Sequence, residues 1–214
     1  MQSNRVSVAD FATASSILFG FSSIIMADDS LLLSAVLILC AVLLDGLDGY
    51  LARRYSSSED GLIFDTLADV VSSTVAPSVL IFYGLSSGYS NIVPGLIAGL
   101  FILSGIVHLR RFVRERKTIG CQTTVASVLI AIGVGFQSGA VIIFVTLLSS
   151  ALMLRDKEYP SNIPINAKLT GGLLVVTVAI AIYTTTFVIP LLSSIGLVIL
   201  SFMLLSPYVE YFDE

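Results

Sequence analysis

Apolar runs long enough to cross a bilayer succeed one another along nearly the whole chain, separated by short polar turns. A spanning helix needs about 20 predominantly apolar residues, because a backbone in hydrocarbon must satisfy its hydrogen bonds internally. Eight such runs are legible, at residues 8–26, 31–53, 64–84, 92–109, 123–136, 139–154, 169–187 and 189–206. The fifth and sixth are short, so six spans plus two accessory pieces is the competing count. With 56% hydrophobic and 12% charged residues over 214 positions, the composition is far from that of a soluble domain. The expected fold is an all-α integral membrane bundle. No repeat, long linker or soluble module divides it, so residues 1–214 read as one domain.

Charge sets an expected orientation, since basic residues collect on the cytoplasmic side of membrane proteins. With eight spans and the N-terminus inside, all 11 Lys and Arg residues, from Arg5 to Lys168, fall inside. The outer turns, at 27–30, 85–91, 137–138 and near 188, then carry only Asp28 and Asp29 as charges. The first run is preceded by one Arg and lacks a clear processing site, so it reads as the first span and not as a cleaved signal. The formal charge of −4 says little about partners, because a basic inner face is offset by other acids, including Glu210, Asp213 and Glu214. No nucleic-acid partner is expected. Cys40 and Cys121 lie far apart, in or beside spans, and read as buried thiols rather than a disulfide framework.

Four aspartates break the apolar pattern. Asp45 and Asp48 close the second run, and Asp65 and Asp69 open the third. Ionisable groups beside hydrocarbon are costly and persist when paired, hydrated or bound to cations, which makes such a cluster a functional site by default. Spacings of three and four put each pair on one face of a helix. If the two helices are antiparallel neighbours joined by residues 54–60, all four carboxylates converge at one membrane face. Their repulsion is relieved by divalent cations, and carboxylate oxygens suit Mg²⁺ and Mn²⁺, two of which can sit about 3.5–4 Å apart for phosphoryl chemistry.

As a pattern the stretch is D-x2-D-G-x2-A-R, seven residues, then G-x3-D-x3-D. It resembles the signature of the CDP-alcohol phosphatidyltransferases, integral membrane enzymes of phospholipid synthesis, in which the central gap is usually one residue longer. The resemblance implies that Asp45, Asp48, Asp65 and Asp69 hold two Mg²⁺ or Mn²⁺ ions and that Asp69 also deprotonates the attacking alcohol. It implies a CDP-lipid site formed by Asp45, Gly49, Ala52, Arg53 and Gly61, with Gly61 supplying the turn into the third span. Elementary chemistry agrees: Gly49 lets a nucleotide approach the backbone, Ala52 leaves room one turn on, and Arg53 can grip phosphate bidentately. A homodimer is also implied, and the segregation of basic residues turns the aspartate cluster to the cytoplasm.

Further segments are similar to the L-serine-using branch of that family. FDTLADVVSSTVAPS resembles its DSLADVVSFGVAP stretch, with Ser73 and Thr74 replacing Phe-Gly. VHLRRF is similar to RLARF, with His108 in place of Arg, and LMLRDKEYPS resembles LM...RYPS through Leu152, Met153, Tyr159, Pro160 and Ser161, with Glu158 in place of Arg. In the first span Thr13 and Gly20 match the branch, while Ser16 stands where Asn is frequent. Serine needs a cation for its carboxylate, and Arg110 and Arg111, entering the loop after the fourth span, are the candidates. Arg114, Arg116 and Lys117 read as head-group contacts or orientation signals, and His108 as a structural residue rather than a metal ligand. The expected reaction is transfer of a phosphatidyl-type group from a CDP-lipid to L-serine with release of CMP. Glycerol phosphate or inositol phosphate is the alternative acceptor. A cation transporter is the alternative of another class, although such sites tend to lie near the midplane between two repeats.

Overall fold

In the computed structural model, residues 8–55, 61–115 and 119–157 are described, and every regular element among them is helical. The expected seventh and eighth spans lie outside the described residues. The helices are α1 (Val8–Met26), α2 (Leu31–Tyr55), α3 (Gly61–Asp69), α4 (Ala76–Ser86), α5 (Ile92–Glu115), α6 (Thr123–Gly135) and α7 (Gly139–Leu154). A π-helical turn, Val70–Val75, joins α3 directly to α4. Among the described residues, four stretches are long and apolar enough to cross a membrane: Ala9–Met26, Leu31–Gly49, Gly61–Ser86 and Ile92–Glu115. The helices α6 and α7 are apolar but shorter.

Local chemistry explains the breaks. Between α1 and α2, Ser30 Oγ accepts the Leu33 amide at 3.3 Å, giving one otherwise orphaned N–H at the start of α2 a partner. The third span is longer than the apolar run alone indicates, and it is not a uniform α-helix. Pro77 has no N–H to give the Ser73 carbonyl, and its ring crowds that carbonyl. The backbone widens instead, and the Ala76 amide reaches five residues back to the Val71 carbonyl. Ser72 Oγ donates to the Ala68 carbonyl at 2.9 Å and Ser78 Oγ to the Thr74 carbonyl at 2.7 Å, easing the disturbed ladder. The fourth helix also outruns its apolar stretch, so Arg110, Arg111 and Arg114 ride on α5 instead of entering a loop.

The helix α6 is apolar all round and buried from Ala126 to Gly135, the position of a central helix and not of a surface one. It packs against α2, α4 and α7, while α1 lies along α2 and α5 along α7. Leu39, Leu80, Ile81, Phe101, Ile130 and Met153 fill the spaces between them. On the outer faces, large apolar side chains such as Phe11 (69% exposed), Leu18, Leu96 and Leu103 are uncovered, as suits contact with hydrocarbon rather than water.

Close approach of α1 to the π turn requires a glycine. A Cβ at Gly20 would lie 2.7 Å from Ser72 Cα, and backbone cannot yield as a side-chain tip can. At Gly99, on α5, a Cβ would meet nothing within 4 Å. The two Gly→Ala changes therefore have opposite expected signs. Gly20→Ala should lower stability by about 1–3 kcal/mol through overpacking. Gly99→Ala should raise it by about 0.5–1 kcal/mol, because alanine has less backbone freedom to lose in a helix. Thermal unfolding in one detergent reads both, and a Gly20→Ala protein as stable as the parent would contradict the packing described.

Candidate active site

Three of the four acids, Asp45, Asp48 and Asp65, converge, and Asp69 stands outside that group. Asp45 and Asp48, three residues apart on α2, meet Asp65 from α3 so that one carboxylate oxygen of each lies within 4.8 Å of the others. Asp48 is buried, while Asp45 and Asp65 are partly covered. Ligand oxygens around one Mg²⁺ or Mn²⁺ stand about 3–4 Å apart, as metal–oxygen distances near 2.1 Å dictate, so this donor set fits a hard divalent cation. Asp69 is the last residue of α3, at the mouth of the π turn. It is close enough to Asp45, Asp48 and Asp65 to feel their charges. Its Oδ1 is buried with no hydrogen-bond partner among the described residues, an environment that suits a cation or a hydroxyl donor.

Three threonines border the acids. Thr13, on α1, donates its hydroxyl to Asp48 Oδ2. Thr124, in the first turn of α6, donates to Asp45 Oδ2 at 3.3 Å. The hydroxyls of Thr123 and Ser73 lie beside the Asp69 carboxylate. Ser16, one turn beyond Thr13, is fully buried, and its Oγ has no partner among the described residues. Thr13 was hinted at by its match to the serine-using branch, but Thr123 and Thr124 carried no such signal. Their contacts with the acids span more than fifty residues of chain.

The CDP-site candidates sit around this cluster. Gly49 follows Asp48 on α2 and is half-buried, and Gly61 is the first residue of α3. Ala52 and Arg53 fall on the last turns of α2, with side chains outside the described residues. The arginine pair is carried by the last turns of α5. Arg111 Nη1 is 2.9 Å from Asp156 Oδ1 and donates to the Leu154 carbonyl at 3.1 Å, clasping α5 to the end of α7. Arg110, Arg111 and Arg114 line a cavity of about 540 Å³ with Glu115 and Asp156, and none of the four aspartates borders it. His108 is buried against the backbone of Ile119 and Met153, apart from the acidic cluster, in keeping with a structural residue. Gly120 takes φ +82° in the same clasp, where its amide donates to the Lys157 carbonyl at 2.9 Å. Neighbouring Cys121 is not joined to Cys40 in a disulfide, and burial pushes its thiol well above the ordinary range. Arg116, Lys117 and residues 158–161 lie outside the described residues.

Comparison with known proteins points the same way as the acids. The family profile described as CDP-alcohol phosphatidyltransferase matches residues 6–206. A CDP-diacylglycerol–serine O-phosphatidyltransferase of Helicobacter pylori is 31% identical over 167 residues, 70% of this chain and 70% of its own. An archaetidylserine synthase of Methanothermobacter thermautotrophicus is 36% identical over 152 residues, covering 66% of this chain and 64% of that protein. A CDP-diacylglycerol–serine O-phosphatidyltransferase of Methanocaldococcus jannaschii is 31% identical over 162 residues, 72% of this chain and 74% of its own. With a matching profile across almost its full length and the acidic signature gathered at one place, the chain belongs to the CDP-alcohol phosphatidyltransferase family.

Proposed function

We propose that the protein transfers a phosphatidyl-type group, carried on diacyl or archaeal ether lipid, from a CDP-lipid to the hydroxyl of L-serine and releases CMP. The observation that carries the reaction class is the convergence of Asp45, Asp48 and Asp65, with one oxygen of each within 4.8 Å. The serine acceptor rests on the names of the similar proteins, two of which are CDP-diacylglycerol–serine O-phosphatidyltransferases and one an archaetidylserine synthase.

In this reading Asp45, Asp48, Asp65 and Asp69 hold the two divalent cations. Bound there, Mg²⁺ or Mn²⁺ supplies charge neutralisation for the pyrophosphate and activation of the acceptor oxygen. Asp69 accepts the proton of the serine hydroxyl at its unpartnered oxygen. The serine oxygen then bonds to the lipid-bearing phosphorus, the phosphoanhydride P–O bond breaks, and its electron pair leaves with CMP. Gly49 and Gly61 admit the nucleotide close to backbone, and Ala52 and Arg53 complete its site. No nucleophilic side chain is needed. The chain spans the membrane eight times with its N-terminus inside, works as a homodimer, and opens its site to the cytoplasm.

For the serine carboxylate, Arg110 is preferred to Arg111. Arg110 is exposed on the 540 Å³ cavity, whereas the Arg111 guanidinium is engaged by Asp156 and Leu154. Three arginines around one cavity would also suit a phosphorylated acceptor, so the acceptor must be tested directly.

Purified protein given CDP-diacylglycerol or CDP-archaeol and Mn²⁺ should release CMP when L-serine is added. Turnover of glycerol phosphate or inositol phosphate alone would overturn the serine assignment. Asp45→Ala, Asp48→Ala and Asp65→Ala should each fall to background, and chelation should silence the parent until Mg²⁺ or Mn²⁺ is restored. Asp69→Asn should lose about 10²–10⁴-fold in kcat with CDP-lipid binding retained, the signature of a lost proton acceptor. Arg110→Ala should raise the serine KM about 10-fold or more, the cost of one charge-assisted hydrogen bond. Arg111→Ala should chiefly lower the unfolding temperature, and the reverse pattern would exchange their roles.

A further inference from the structure

We propose that Thr13 and Thr124 are positioning residues for the divalent cations, gripping Asp48 and Asp45 from two helices outside the acidic signature. The inference rests on the reading that these carboxylates hold metal. Buried helical hydroxyls usually bond the carbonyl four residues back, and Ser72, Ser78, Ser104 and Thr146 do so here at 2.7–2.9 Å. Thr13 has that option as well, with Oγ1 3.1 Å from the Ala9 carbonyl, yet the same oxygen also contacts Asp48 Oδ2. A hydroxyl has one proton, and a carboxylate is the stronger acceptor, so the bond to Asp48 prevails. Thr124 lies in the first turn of α6, just after Gln122, and its hydroxyl goes to Asp45 Oδ2.

Both donors are held firmly. Thr13 is 4% exposed on a helix packed along α2, and Thr124 leads a helix buried from Ala126 onward. A carboxylate bonded to a fixed donor cannot swing freely about its χ2, so its remaining lone pairs stay aimed at one point between α2 and α3. Partners of this kind typically contribute about 10–100-fold to metal affinity. The facing carboxylates of α2 and α3 therefore supply the ligands, while α1 and α6 set the angles of Asp48 and Asp45.

The test is Mn²⁺ binding to the full chain in detergent micelles, without CDP-lipid, followed by the paramagnetic resonance signal of free Mn²⁺. Thr13→Val and Thr124→Val, which keep shape and delete the hydroxyl, should each weaken Mn²⁺ binding about 10–100-fold. Thr13→Ser and Thr124→Ser should restore it. Thr146→Val, which removes a buried hydroxyl bonded only to its own helix, should leave Mn²⁺ affinity unchanged. Val variants that bind Mn²⁺ as the parent does, even with lowered unfolding temperatures, would reduce the hydroxyls to packing and overturn the proposal. If a Val variant does not fold, its Ser counterpart decides, because a folded Ser variant with Mn²⁺ affinity far below the parent's also overturns it. A parent that binds no Mn²⁺, or an Asp48→Ala protein that binds it equally well, would instead sink the metal reading, and the positioning role with it.

Discussion

Like charges held together inside an apolar bundle are the constraint around which this structure is arranged. Three carboxylates offer oxygens within 4.8 Å of one another, and a fourth, Asp69, stands beside them. In water such groups would drift apart, because side-chain freedom and hydration both favour separation. Here they sit on α2, packed against α1 and α6, and on α3, packed against α1 and the π turn. The fold accepts electrostatic cost at one place and compensates with apolar burial at many others, the usual relation between a functional site and the core that carries it.

The π turn after Asp69 shows how closely site and scaffold are coupled. Pro77 disturbs the helix eight residues downstream of the carboxylate, and the wider turn absorbs that disturbance between Val70 and Val75. The same six residues meet Gly20 of α1 through Ser72 and Gly105 of α5 through Thr74, where an added Cβ would come within 2.8 Å of the Thr74 methyl. A helix with irregular backbone is thus held on both sides by glycines that let neighbours come near. Such packing is common where helices must associate without a hydrophobic driving force between them. It also fixes the direction in which Asp69 and Ser73 point, since a shift of the π turn would move both.

Sequence legibility followed the range of the interactions involved. Apolar periodicity and length are local, so α1, α6 and α7 begin where the apolar runs do, and α2 begins at Leu31 as expected. The acidic pairs were legible too, because three- and four-residue spacing and a short connection define one helix face each and bring two helices together. Helix ends were harder. Hydropathy falls at Leu109, but nothing in Arg110 to Glu115 breaks a helix, so α5 runs on and carries its arginines with it. Thr123 and Thr124 were illegible as site residues, for a hydroxyl acquires its role from what lies opposite, and Asp45 lies 79 residues away.

The separation of the arginine cavity from the aspartates bears on how an acceptor would be handled. Arg111, Asp156, Gly120 and Lys157 tie the ends of α5 and α7 to the segment that leads into α6. That segment continues through Cys121 and Gln122 to Thr123 and Thr124, which touch the acids. The clasp at one end and the hydroxyl grip at the other are therefore joined by two residues of chain, with Cys121 anchored to the Leu152 carbonyl through its amide. A ligand that drew Arg111 from Asp156 would displace an exposed ion pair, while the backbone bonds of Gly120 and Cys121 would still hold the segment that leads into α6. The arginine cavity and the acidic cluster are thus neighbours along a short, bonded stretch of chain, although among the described residues none of the four aspartates lines the cavity.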